Sequence, residues 1–231
     1  MSAGLGAAVA ERLDTIRQRI ADAGGDPAQV RIVAVTKAFG ADEVEAAVGA
    51  GLTELGENYA QELLAKADAV PNDVRWHFLG VPQRNKIGRL APYVALWEAV
   101  DKRSTLDAIA DRQPGAAVLM QVNLTAAPTK GGCRVEDVPG LVDHGRGLGL
   151  DVQGLMTVGP AGDRAGSERC FTALAKLGAA HGLAQLSMGM SDDYDVAVAR
   201  GSTMIRIGRG LFGPRPNRRE EASSMARPGG M

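Results

Sequence analysis

The spacing of hydrophobic positions changes soon after the chain begins. Leu5, Val9, Leu13, Ile16 and Ile20 recur at three- and four-residue intervals, with Glu11, Arg12, Asp14, Arg17 and Arg19 between them. This period predicts an amphipathic helix, ended by Gly24, Gly25 and Pro27. Ile32, Val33, Ala34 and Val35 then form a short, continuously apolar, partly β-branched run. Such a run is expected of a parallel strand buried on both faces.

From there the chain alternates. Strand-like runs fall at 31–36, 53–55, 75–79, 95–100, 116–122, 151–156, 184–187 and 203–205. Helical stretches lie between them at 42–50, 59–68, 83–90, 104–111, 135–147, 164–181 and 192–200. Regular alternation implies right-handed βα units and a parallel sheet. A doubly wound open sheet gives much the same rhythm. Eight units within 231 residues, with no second composition, favour an α/β fold of a single closed (β/α)₈ barrel preceded by an extra helix. The domain is expected to span 1–216. The segment 217–231, rich in Arg, Glu, Ser, Pro and Gly, reads as a disordered tail.

A formal net charge of −1 gives no general attraction to nucleic acid or to an anionic membrane. Nothing approaches 18 apolar residues in a row, so no membrane span is expected, and the start lacks the pattern of a secretory signal. Two cysteines, Cys133 and Cys170, fit no metal or redox spacing. The expected location is cytoplasmic.

In parallel α/β folds functional groups gather at the carboxyl ends of the strands, where the βα loops meet. Lys37 follows the first apolar run directly, and only six of the 26 basic side chains are lysines. A partly desolvated lysine is a usable amine nucleophile and forms an imine with an aldehyde cofactor or a carbonyl substrate. Position alone leaves open a lysine that merely snorkels to solvent. The segment 187–193 reads as strand end, tight turn and helix start, with Ser191 or Asp192 as N-cap. One unit later come Arg206, Ile207, Gly208, Arg209 and Gly210, whose glycines permit close backbone approach. These two loops, after strands seven and eight, form the usual phosphate site of such barrels. Arg206 lies inside an apolar strand and needs a structural carboxylate or a ligand. His77, between Trp76 and Phe78, reads as a satisfied core group. His144 and His181 read as helix-surface positions, and no cluster has metal spacing. No Walker loop, Gly-x-Ser-x-Gly elbow or dinucleotide fingerprint follows a strand.

Taken together, these residues carry a resemblance. Ala34-Val35-Thr36-Lys37, the run 55–62 (LGENYAQE), Trp76-His77-Phe78-Leu79-Gly80, Gln83-Arg84-Asn85-Lys86, Gly154-Leu155-Met156, the run 186–193 (LSMGMSDD) and the run 201–208 (GSTMIRIG) are similar to the YggS/PROSC group, the pyridoxal phosphate homeostasis proteins. The resemblance implies a barrel like the N-terminal domain of alanine racemase. It implies pyridoxal 5′-phosphate (PLP) held as a Schiff base on Lys37. It also implies Ser191 and Gly208 at the phosphate, Arg206 facing the pyridine nitrogen and Asn58 near the cofactor. Arg209 stands where many relatives have threonine, and supplies either a charged contact or only its backbone N–H. Lys130, Gly131 and Gly132 match the family pattern only loosely and are assigned no role.

Two classes of function remain. One is a racemase-like enzyme dependent on PLP. The other is a non-catalytic carrier that stores, delivers or buffers PLP. The second is favoured, because an arginine beside the ring nitrogen disfavours the protonated electron sink. A two-base racemase also needs an acid–base group on the opposite face of the cofactor, and Tyr59 and Tyr194 are the only nearby tyrosines. The expected partners are PLP and, by transient contact, PLP-dependent apo-enzymes. The expected state is a monomer. A third reading, a barrel enzyme forming an imine between Lys37 and a sugar or keto acid, predicts no visible absorbance.

Overall fold

The computed structural model describes residues 3–214 except 69, 72, 126, 128 and 129. The tail expected at 217–231 therefore lies outside the described residues.

Eight parallel strands close into a barrel in sequential order, β1 (Arg31–Val35), β2 (Glu54–Glu57), β3 (Arg75–Phe78), β4 (Val94–Val100), β5 (Ala117–Gln121), β6 (Asp151–Met156), β7 (Gln185–Met190) and β8 (Met204–Ile207). Closure is made by β8 against β1, where Ile32 pairs with Ile205 and Val33 with Arg206. The open-sheet alternative is excluded by this pairing.

Helices α2 (Ala41–Gly49), α3 (Ala60–Ala67), α4 (Arg84–Leu90), α5 (Arg103–Arg112), α6 (Val138–Gly147), α7 (Arg164–Ala180), α8 (Tyr194–Ala199) and α9 (Arg209–Phe212) surround it. The extra helix α1 (Ala3–Asp22) buries Val9, Leu13, Ile16 and Ile20, as the periodicity predicts. It packs on α2, α8 and α9, over the β8–β1 closure, and Arg12 Nη1 donates to the Leu211 carbonyl at 3.0 Å.

Strand residues alternate between two cores. Ile32, Ala34, Leu55, Trp76, Phe78, Trp97, Val118, Leu155, Ile205 and Ile207 face the helices and belong to the large outer core. Val33, Leu96, Leu119, Met156 and Met204 fill the barrel interior. The interior also takes fully buried polar groups, including His77, Glu98 and Ser187.

Most boundaries shift by one to three residues from the sequence expectation, with β2 and β8 each running two residues further, to Glu57 and Ile207. Strand β7 continues to Met190, and α8 begins only at Tyr194 with Asp193 as the residue before it. Neither Ser191 nor Asp192 is the N-cap. Asp193 takes that place without a side-chain bond to the helix: its Oδ1 accepts the Met190 N–H at 2.8 Å and its Oδ2 accepts from Ser167 Oγ at 2.8 Å. Gly189, at φ +94°, supplies the left-handed turn within the strand end. The stretch expected as one helix from 135 starts as a 3₁₀ turn (Val135–Asp137) before α6.

His144 lies in the last turn of α6 and His181 follows α7, as expected. Cys133 and Cys170 are free, buried thiols. Burial, aided by Asp137 and Asp101, pushes Cys133 up to about 12. No helix among the described residues is long and apolar enough to cross a membrane.

Candidate functional site

A cavity of about 350 Å³ opens at the carboxyl ends of the strands, within the size range of small-ligand clefts. Lys37, Asn58, Ser191, Arg206, Gly208 and Arg209 all line it, with Leu79, Met156 and Val158 as an apolar wall. The tertiary structure thus gathers six residues from the loops or ends of four strands. A wider groove of about 520 Å³ between α1, α7 and α8 touches no strand end. Its Arg164 and Arg200 are paired with Asp195 and Glu168.

Lys37 is half-buried and sits between two pinned neighbours. On one side, Lys66 Nζ donates to the Thr36 carbonyl at 2.8 Å and to Glu57 Oε1 at 2.6 Å. Thr36 Oγ1 donates to the same Glu57 oxygen at 2.6 Å. On the other side, the Ala38 N–H donates to Glu62 Oε2 at 2.7 Å, and Ala38 holds φ +62°. A non-glycine residue in that region is strained, so the contact with Glu62 keeps a bend that aims the chain after β1. Burial raises the Glu57 carboxyl above its ordinary range, and the hydrogen bonds from Lys66 and Thr36 offset this only in part. Sequence reading did not find Lys66. It lies on α3, and only folding brings it to the Thr36 carbonyl, next in the chain to Lys37.

Asn58 follows β2. Its carbonyl lies so close to Gly80 that a Cβ there would approach it to 2.1 Å, which explains the glycine ending the 76–80 block. Across the cavity, the Gly210 N–H donates to Ser191 Oγ at 3.1 Å, joining the β7 and β8 loops. Gly208 leaves space that a Cβ would fill, 3.1 Å from the Val35 carbonyl. The Arg209 guanidinium turns to Asp192 Oδ2 at 2.5 Å on the rim. Helices α8 and α9 are short, so this corner offers turn N–H groups, the Ser191 hydroxyl and the Arg209 side chain and not a long helix dipole.

Arg206 is buried and finds two partners, Ser187 Oγ at 2.6 Å and the Thr157 carbonyl at 2.8 Å. Behind Ser187 stands Glu98, which accepts its hydroxyl at 2.5 Å. Glu98 in turn meets His77 Nδ1 at 2.5 Å, and His77 Nε2 meets Glu54. His77 is a satisfied core group, as its position predicts, but within a charged chain. Tyr194 is buried away from the cavity, with Arg19 stacked 4.9 Å over its ring. Tyr59 is exposed beside a separate small cleft. The Asn123 side chain ties the following loop through Ala127 and Lys130 carbonyls and does not line the cavity.

Residues 6–216 match the family model described as alanine racemase, N-terminal domain. A pyridoxal phosphate homeostasis protein of Pseudomonas aeruginosa is 37% identical over 220 residues, covering 90% of this chain and 96% of that protein. The chain belongs to the pyridoxal phosphate homeostasis protein family. Two solved structures share the family barrel. An unknown protein from Bifidobacterium adolescentis has a TM-score of 0.84 at 29% identity, covering 92% of this chain and 97% of that one. PipY of Synechococcus elongatus, solved with PLP bound, has a TM-score of 0.76 at 29% identity, covering 89% of this chain and all of PipY. In this member of the family, the cavity that gathers Lys37, Ser191 and Arg206 lies where the βα loops of the barrel converge.

Proposed function

We propose that this chain binds PLP in the 350 Å³ cavity and serves cellular PLP homeostasis as a carrier without efficient turnover. The observation that carries the reading is the convergence on one cavity of an amine, an anion-suited corner and a buried cation. These are Lys37, the Ser191–Gly210 junction with Arg209, and Arg206. When bound, PLP supplies an aldehyde that condenses reversibly with a primary amine, releasing water. Lys37 is the residue that would tether it. Ser191 has its hydroxyl hydrogen left to donate, because its oxygen accepts from Gly210. With the Gly208 and Arg209 N–H groups it would hold the phosphate. Arg209 would add charge from the rim, and Asn58 would flank the ring. Arg206 would face the ring nitrogen as a permanent donor and disfavour a proton there.

The same arrangement supports the carrier reading over a racemase. Arg206 works against an electron-deficient ring, and Tyr194 is held away from the cavity under Arg19. The barrel, taken as 1–216, acts as a cytoplasmic monomer that meets apo-enzymes transiently. The test is the absorbance spectrum of the purified, PLP-treated protein before and after borohydride, with Lys37→Ala alongside. A reducible visible band present in the parent and lost in the variant is expected; no band in the parent would overturn the reading. Turnover of an amino acid at about 1–10³ s⁻¹ would overturn the carrier role.

A further inference from the structure

Arg206 lies at one end of a polar chain that crosses the barrel interior, and donor chemistry fixes the direction of its first two hydrogen bonds. Guanidinium nitrogens only donate. Ser187 Oγ therefore accepts from Arg206 at 2.6 Å, and its single hydrogen goes to Glu98 Oε2 at 2.5 Å. The other Glu98 oxygen lies 2.5 Å from His77 Nδ1, and His77 Nε2 lies against a Glu54 oxygen. With both carboxylates ionised, each ring nitrogen can only donate, which makes the ring an imidazolium. The charges then alternate: Arg206 positive, Glu98 negative, His77 positive, Glu54 negative. Arg75, 3.2 Å from Glu54, closes the chain at the opposite, partly exposed end.

We propose that Glu98 and His77 are positioning residues for Arg206, forming with Ser187 and Glu54 an alternating-charge relay that fixes the guanidinium toward the cofactor's ring nitrogen. Its cofactor side rests on the PLP reading above. The physical need is plain: a fully buried cation requires a buried counter-charge, and Ser187 sets that counter-charge one hydroxyl away, leaving the guanidinium in the cavity wall. The charged groups around the chain are Arg31 on β1, Glu54 on β2, Arg75 and His77 on β3, Glu98 on β4, Asp193 before α8 and Arg206 on β8. Burial works against the charge on His77, but Glu54 and Glu98 outweigh it and hold the ring above its ordinary value. Burial likewise opposes Glu98, but His77, Arg206 and Ser187 hold it below the usual carboxylate range.

The first test uses ¹⁵N-histidine-labelled protein without added cofactor. Only three histidines are present, so His77 is assigned by one substitution. Both of its ring nitrogens are expected to remain protonated above the pH, about 6.5, at which an ordinary histidine loses its proton. A singly protonated ring at neutral pH would overturn the relay. The second test titrates parent and Glu98→Gln with PLP and with 1-deaza-PLP, which lacks the ring nitrogen. PLP binding should weaken about tenfold or more in the variant, with the deaza analogue little changed. Equal loss for both ligands, or loss for neither, contradicts the positioning role. If the parent binds neither ligand, the PLP reading fails while the imidazolium result stands or falls alone.

Discussion

Two buried ion clusters flank the cavity and use charge in opposite ways. Behind Lys37, the Lys66 amine sits directly on Glu57 at 2.6 Å, and neither residue enters the cavity. The pair acts through the Thr36 carbonyl, bracing the strand end that carries Lys37. On the other side, Arg206 itself forms part of the cavity wall, and its counter-charge stands beyond Ser187. The titration directions differ accordingly. Glu57 is raised, since burial outweighs its two donors and its second oxygen is buried without a partner. Glu98 is lowered, since both its oxygens are hydrogen-bonded and cations lie on either side. The charged form of a buried carboxylate is favoured here where both oxygens are answered and disfavoured where one is not. One cluster braces backbone, the other holds a cation in the cavity wall.

The largest expected effect breaks the first cluster. Lys66→Met leaves Glu57 buried without its cation and should cost about 3–5 kcal/mol at neutral pH, read by urea unfolding. Part of that loss should return in mild acid, because protonation removes the uncompensated charge of Glu57. A loss of equal size at acidic and neutral pH would show that Lys66 acts by packing alone.

The pH profile of stability sharpens the contrast. His77, raised in the folded state, stabilises fully below its ordinary value of about 6.5, and this contribution fades as pH rises through the raised value. Glu98 and Glu54, lowered on folding, stabilise above about 4.3, and their contribution fades as pH falls through the lowered values. The relay therefore predicts a plateau between about pH 4.3 and about pH 6.5, with stability falling on either side. Glu54→Gln removes one of the two carboxylates that hold His77 charged. It should move the alkaline limb to lower pH in a series of denaturation curves, and an unmoved limb would deny the coupling. Glu57 has the opposite sign, costing stability as it ionises.

The smallest effect is at the rim. Asp192→Ala breaks the exposed pair with Arg209 and should change stability by about 0–1 kcal/mol in the same urea assay. A larger loss would mean that the pair organises the β7–β8 loops rather than decorating them.

Much of this architecture is legible along the chain. The run from Ile32 to Val35 announces β1, and Lys37 beyond it points to the cavity. Ser191, Gly208 and Arg206 are found by counting βα units, because the loops after the last strands meet in space. The end of β7 is misplaced by sequence reading, since Ser191 and Asp192 have the side chains of N-caps but the Met190 N–H and Ser167 engage Asp193 instead. Lys66 and Glu54 carry no local signal. Glu98 sits in a run of otherwise apolar β4 residues, the same signal that Arg206 gives, but its partners His77 and Ser187 lie 21 and 89 residues away along the chain.

The sequence by itself determined the alternating order of strands and helices, the amphipathic α1, and the lysine, serine and arginine at strand ends, because periodicity and strand polarity are local properties. Only the tertiary structure decided the closure of β8 on β1 and the meeting of residues from β2, β3, β4, β7 and β8 inside the barrel. Interior partners sit tens of residues apart, and the charge on each is set by groups that only closure brings within hydrogen-bonding distance.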